Sequence, residues 1–266
     1  MKKLFVLDID GCITVPFVTP EWEVIKDIRD LQERSKEDEL VPELSICTGR
    51  PLPYAEAVAQ WLGIQKPIIF ESGGGLFDPL KYYIEWSKHL DDDVLDQMGE
   101  IKKWMEREIT PGFKGITLEV GKRLDVGVVS MDPDQILEIY DLVKPHIEKK
   151  FPDFVVHRTP VSVNIILENS NKGSGLLQLA NYTGIPLQEM AYIGDSSGDI
   201  AALEIAGAGF APANATEEVR GLDGVIPLQT SATRAVLEAY KILVKRNGEK
   251  LKGITAEQVN DESGTR

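Results

Sequence analysis

The stretch Leu4-Phe5-Val6-Leu7-Asp8-Ile9-Asp10-Gly11 decides the reading of this chain. Four consecutive apolar residues are the signature of a strand buried on both faces, as in a parallel sheet covered by helices. The strand runs straight into two carboxylates one residue apart. Side chains at i and i+2 leave a strand on the same face, so Asp8 and Asp10 point the same way, and Gly11 lets the chain turn behind them. Two like charges at the end of a buried strand are costly for stability alone and call for a cation, a donor or a metal beside them.

Working outward, strands and helices alternate: a strand at 3–8, a helix at about 21–35, a strand at 42–47, a helix at about 52–62 and a strand at 67–70. The alternation returns after Lys172, with helices at 173–183, 198–206, 215–221 and 231–244 and strands at 190–194, 208–211 and near 225–226. This order predicts an α/β fold, a Rossmann-like parallel sheet with helices on both faces. Between about 81 and 167 the pattern changes to a helix at 91–108, strands at 115–120 and 123–130, a helix at 133–150, and strands at 153–158 and 161–167. That α-β-β-α-β-β order predicts an inserted α+β domain whose neighbouring strands pair antiparallel. The expected division is a core of 1–80 and 168–245, an insert of 81–167, and a polar tail from 246 to 266 that is frayed or disordered.

Bulk composition bounds the partners. The 266 residues are 42% hydrophobic and 27% charged, ordinary for a globular protein. A formal charge of −14 disfavours nucleic acid and anionic membrane surfaces and suits divalent cations. With no apolar run of membrane-spanning length and no cleavable leader after Met1, the chain reads as cytoplasmic, a monomer or homodimer. Cys12 and Cys47 are too few for a disulfide framework and read as small core residues. His89, His146 and His157 are scattered, which supports neither a zinc site nor a Ser-His-Asp triad.

Open parallel sheets bind ligands beyond the carboxyl ends of their strands. Four strands deliver chemistry there: Asp8 and Asp10; Thr48-Gly49-Arg50; Glu71-Ser72-Gly73; and Gly194-Asp195-Ser196-Ser197-Gly198-Asp199. Asp8 and Asp195, from different strands, form the hard-oxygen cluster that magnesium prefers. Thr48 and the backbone N–H groups around Gly49 offer donors to an anion at a helix start. Lys172 opens a helix where it brings a positive charge to the same point.

These four motifs, in this order and across about residues 1–230, resemble the haloacid dehalogenase superfamily of phosphotransferases: Asp8-Ile9-Asp10-Gly11, Thr48-Gly49-Arg50, Asn171-Lys172-Gly173 and Gly194 to Asp199. The insert between the second and third motifs is similar to the C2B caps of the Cof-type branch, which includes archaeal phosphoglycolate, sucrose-phosphate and mannosyl-phosphoglycerate phosphatases. The resemblance implies a magnesium-dependent phosphatase of a small phosphorylated metabolite. Asp8 is then the nucleophile and Asp10 the acid and base, with Thr48, Gly49, Arg50 and Lys172 on the phosphoryl oxygens. Asp8, Asp10 through its carbonyl, Asp195 and Asp199 form the metal set, Asp199 orienting Lys172 or a metal-bound water. Lys122, Arg123, Arg158 and Asn164 of the cap are placed to meet a second polar group of the substrate. Gly198, where the branch carries Asn, and Ser72-Gly73, where it carries Asn-Gly, depart from the pattern. A phosphomutase and a non-catalytic sugar-phosphate binder are the competing readings; retention of both Asp8 and Asp10 speaks against the binder.

Overall fold

The computed structural model describes residues 1–159 and 161–263. The first strand, β1 (Leu4–Leu7), is wholly buried. Its alternate residues face different cores: Phe5 and Leu7 lie in one hydrophobic cluster, Leu4 and Val6 in another. Phe5 meets the rings of Phe210 and Tyr240 at 6.0 and 5.7 Å. Both faces of the strand are therefore covered, which is why its sequence shows no polar alternation.

After β1 come α1 (Trp22–Arg34), β2 (Glu43–Ile46), α2 (Leu52–Leu62) and β3 (Ile68–Phe70). A hairpin follows, β4 (Gly75–Asp78) and β5 (Tyr83–Trp86), and then α3 (Asp92–Trp104), which continues into a wider turn over Met105–Ile109. The insert goes on with β6 (Asp125–Val129), α4 (Pro133–Lys150), β7 (Phe154–Arg158) and β8 (Ser162–Leu167). The second half comprises α5 (Lys172–Thr183), β9 (Met190–Ile193), α6 (Ile200–Ile205), β10 (Gly209–Ala211), α7 (Glu217–Arg220), β11 (Val225–Pro227) and α8 (Ala232–Ser263).

The central sheet is five-stranded, in the order β11-β10-β9-β1-β2, and every pairing in it is parallel. β1 sits between β2 and β9, so Asp8 emerges between the segments that carry Thr48 and Asp195. The expected fold class is the observed one: a parallel α/β core with separate antiparallel sheets, of which β6-β8-β7 lies in the inserted region.

Four details differ from expectation. β3 touches the parallel sheet through a single bridge, Cys47 to Ile69, and pairs instead with β4 in a three-stranded antiparallel sheet β3-β4-β5. This hairpin has no clear hydrophobic period, because β5 is half exposed and Gly75 opens β4. Second, the strand expected at 115–120 is reduced to one bridge, Leu118 to Val128, between Gly115 and Gly121, both of which have positive φ. The insert's sheet is thus three-stranded, β6-β8-β7. Third, the helix expected at 198–206 begins only at Ile200, after a tight turn over Ser197–Asp199. Finally, the tail expected to fray from 246 is helical through Ser263. Buried Asn247 anchors its start: its Oδ1 accepts from the Lys2 N–H and its Nδ2 donates to the carbonyls of Lys2 and Leu40. The last three residues of that expected tail, 264–266, lie outside the described residues.

The insert has its own core. Val126 and Val128 of β6, Val163, Ile165 and Leu167 of β8, and Phe154 of β7 pack on Ile101 of α3 and on Ile136, Ile139 and Val143 of α4. The opposite face of the same sheet, including Ser162, Asn164 and Ile166 of β8, looks onto the cavity above β1. Among the described residues no helix is long and apolar enough to cross a membrane.

Candidate active site

Asp8 follows β1 and is almost wholly buried, with its N–H donating to the Ile193 carbonyl of β9 at 3.1 Å. Lys172, the first residue of α5, places its Nζ 2.7 Å from Asp8 Oδ1 and 2.6 Å from Asp199 Oδ1. The helix start that delivers Lys172 is built by Asn171, whose Oδ1 accepts from the Ser174 N–H while its own N–H donates to Ser174 Oγ, a reciprocal cap. Asp199 is fully buried. Besides Lys172 it accepts from the Tyr192 hydroxyl at 2.7 Å and, through Oδ2, from the N–H groups of Asp195 and Ser196 and from Ser196 Oγ. Five donors thus converge on one carboxylate. Asp199 holds Lys172 in place, and the possible metal-ligand atoms that lie close together are those of Asp8, Cys12 and Asp195.

Asp195 lies beside the turn after β1. A Cβ built on Gly11 would fall 2.0 Å from Asp195 Oδ2, and Gly11 has φ +80°, so both the space and the backbone conformation require glycine. Asp8, Asp195 and Cys12 bring one ligand atom each within 4.8 Å of one another. Burial raises the Asp8 pKa well above the usual carboxylate range; Asp199 and Asp195 add to the rise, and the opposing pull of Lys172 does not cancel it. Asp195 is pushed up to about 7, by burial first and then by Asp199. Three carboxylates therefore share one ammonium. The chemistry of this donor set fits a divalent cation: hard oxygens from two strands, a surplus of negative charge, and no second fixed cation on Asp195. Cys12 is a poor third ligand for such an ion, because burial and the surrounding acids hold it as a neutral thiol. Cys47, equally buried, is pushed up to about 12, and both cysteines are core residues.

Thr48 is fully buried, its Oγ1 accepting from the Arg50 N–H at 3.1 Å, and it sits beneath the cavity surface that Gly49 and Arg50 line. Arg50 forks onto Asp10, with Nε 2.6 Å from Oδ2 and Nη2 2.8 Å from Oδ1. Ser72, in the left-handed region at φ +57°, also lines the cavity, with its Oγ 3.2 Å from where a Cβ on Gly49 would stand. The cavity has a volume of about 830 Å³ and is shared by core and insert: Asp8, Asp10, Lys172 and Asp195 on one side, His157, Ser162 and Asn164 on the other.

A sequence profile of the haloacid dehalogenase-like hydrolases matches residues 114–226. The chain is 28% identical over 229 residues to a phosphoglycolate phosphatase of Methanopyrus kandleri, covering 85% of this chain and 90% of that one. It is likewise 28% identical over 221 residues to a phosphoglycolate phosphatase of Methanococcoides burtonii, covering 81% and 85%. The chain is similar to the haloacid dehalogenase-like hydrolases. Solved structures share the fold at lower identity. A Thermoplasma acidophilum protein superposes with a TM-score of 0.68 at 20% identity, over 91% of this chain and 98% of that one. The sucrose-phosphatase of a Synechocystis species, solved with sucrose and phosphate, gives 0.66 at 18% identity over the same shares.

Within this hydrolase site the cap residues separate. Arg158 lines the cavity, its guanidinium 5.7 Å from the centre of the Tyr140 ring. Lys122 and Asn164 also line it, bonded to each other at 2.9 Å. Arg123, expected to meet the substrate, is not among the residues that line it. Its side chain is exposed and lies over Trp86, 5.1 Å from the ring centre, while its N–H donates to Glu71 Oε2. Among the cavity residues that escaped the sequence reading are Glu119 and His157. Glu119 lies in the irregular segment before β6, and His157 lies on β7 directly across from Asn164 of β8. Asn164 lies within the strand expected at 161–167, and the β7–β8 register is the step that brings His157 beside it. For Glu119 no local signal exists.

Proposed function

We propose that this hydrolase is a magnesium-dependent phosphatase of a small phosphorylated metabolite, such as phosphoglycolate or a sugar phosphate, and that it works through an aspartyl-phosphate on Asp8. The observation that carries the reading is the position of Asp8: a buried carboxylate on the cavity floor at the end of β1, held by Lys172 and adjacent to Asp195. The names of the relatives from Methanopyrus kandleri and Methanococcoides burtonii support the reaction class.

In the first step an Asp8 oxygen forms a bond to phosphorus while the bond from phosphorus to the leaving oxygen breaks, and Asp10 gives that oxygen its proton. In the second, Asp10 takes a proton from water as the water oxygen bonds to phosphorus and the Asp8–phosphorus bond breaks, releasing phosphate. Lys172 and the N–H groups about Gly49 hold the transferring oxygens, and Thr48 supports that loop from below. Asp8, Asp195 and the Asp10 carbonyl would hold the magnesium ion, which screens the repulsion between carboxylate and phosphate when bound. The insert, taken as a cap over 81–167, carries substrate choice through Arg158, Asn164 and His157.

A panel of phosphomonoesters assayed with magnesium and with EDTA tests the reading. Phosphate release that requires magnesium, and a phosphoenzyme trapped on wild type and absent from Asp8→Asn, are expected. Hydrolysis of no ester in magnesium, or full activity in Asp8→Asn, overturns it.

A further inference from the structure

Asp10 does not face the cavity unattended. Both of its oxygens are taken by the Arg50 fork, and the third arm of that guanidinium, Nη1, lies 3.3 Å from Oε1 of Glu119 in the insert. The other Glu119 oxygen is 2.6 Å from Lys122 Nζ. Lys122, its side chain only 3% exposed, is held in turn by Asp125 Oδ2 at 3.0 Å and Asn164 Oδ1 at 2.9 Å. Charges of alternating sign therefore run from the loop after β1 to Asp125 of β6, with the neutral Asn164 of β8 as a further acceptor for Lys122. Room for them comes from Gly127, opposite Asn164 in the β6–β8 register. A Cβ at Gly127 would lie 2.5 Å from Glu119 Oε2, 2.6 Å from Asn164 Oδ1 and 3.0 Å from Lys122 Nζ.

A guanidinium fork on a carboxylate fixes both oxygens and the plane of the group. Arg50 thus sets where Asp10 points, and Arg50 is shared between two carboxylates, one in the core and one in the insert. We infer that Glu119 is a positioning residue for the reaction: seated on the core, the insert uses it to draw the Arg50 fork and so orient Asp10 toward the leaving oxygen. The inference rests on the phosphatase reading above. It joins presence of the insert over the cavity to readiness of the proton donor, with Lys122 and Asn164 holding Glu119 in place.

The test compares two substrates in Glu119→Gln, which keeps the shape and removes the charge. An alkyl phosphate needs a proton on its leaving oxygen, whereas p-nitrophenyl phosphate releases a weakly basic phenolate that departs without one. The ratio kcat/KM reports phosphorus transfer to Asp8 and not the later hydrolysis. A misplaced proton donor typically costs about 10- to 100-fold. That loss is expected in kcat/KM for the alkyl ester, with p-nitrophenyl phosphate changed less than about threefold. Gly127→Ala, whose added methyl crowds Glu119 together with the Asn164 and Lys122 that hold it and leaves Asp10 and Arg50 untouched, is expected to give the same split and serves if Glu119→Gln fails to fold. Equal losses on both esters mean that Glu119 only docks the insert, and unchanged ratios mean that it does nothing for Asp10; either result overturns the inference. If the wild type hydrolyses neither ester in magnesium, the phosphatase reading itself has failed.

Discussion

Replacing Asp195 by Asn in the metal-free protein makes the molecule more stable. The raised Asp195 pKa means that the folded protein binds its proton more tightly than the unfolded chain does. The stability tied to this proton is complete below the unfolded value of 3.8 and is lost as pH rises through the folded value of about 7. At 1.36 kcal/mol per pH unit, that rise corresponds to at most about 4 kcal/mol of destabilisation at pH 8. Asp195 is partly open to the cavity, and solvent screening reduces the figure to about 2–4 kcal/mol. For a chain of this size each kcal/mol moves the melting temperature by about 2–4 °C. Asp195→Asn in EDTA at pH 8 should therefore melt about 4–16 °C above wild type, and the gap should shrink steadily as pH is lowered toward 4. Magnesium should raise the melting temperature of wild type and leave the variant nearly unmoved, because the variant lacks one charged ligand. Differential scanning calorimetry at pH 5, 6.5 and 8, with EDTA and with magnesium, reads all of this. A variant no more stable than wild type in EDTA at pH 8 would refute the reasoning, since it would mean that Asp195 carries no electrostatic cost.

Lys172→Met leaves Asp8 and Asp199 buried without their shared cation, and a loss of about 3–5 kcal/mol in urea unfolding at pH 7 is expected. Gly11→Ala forces a methyl into the Asp195 carboxylate at a positive φ, so magnesium binding, read by calorimetric titration, should weaken even where the fold survives. Arg123→Ala should leave KM unchanged across the phosphomonoester panel, because its side chain lies on Trp86 outside the cavity.

The parts of the fold legible in the sequence are those with a local cause. Leu4 to Leu7 announce a strand buried on both faces, and the glycine, carboxylate and hydroxyl clusters at strand ends announce where the sheet opens to ligand. The start of α5 is local in the same sense, set by the reciprocal bonds between Asn171 and Ser174 three positions on. The hairpin β4–β5 was not legible, since its strands are short and β5 is half exposed, which blurs the period. Nor was the helical course beyond 246: its start is held by bonds from Asn247 to Lys2 and Leu40, some two hundred or more positions away, which composition does not record. The site divides in the same way. Asp8, Asp10, Lys172 and Asp195 follow from strand ends and a helix start, whereas Glu119 and His157 depend on the register of the insert's sheet. Asp199 meets Lys172 as the motif order suggests, but only three dimensions reveal the four further donors, from Tyr192, Asp195 and Ser196, that converge on it.

One contact noted for Arg123 reaches further than that residue. Glu71, next to Ser72 on the cavity wall, grips the insert by accepting from the main-chain N–H groups of Arg123 and Leu124. Main-chain N–H groups are the same whatever side chain stands there. The join between the two parts is therefore indifferent to much of the insert's local sequence. Residues facing the cavity can be exchanged to fit a different alcohol while the insert remains fastened at this point, so the molecule separates the evolution of its preference from the upkeep of its architecture.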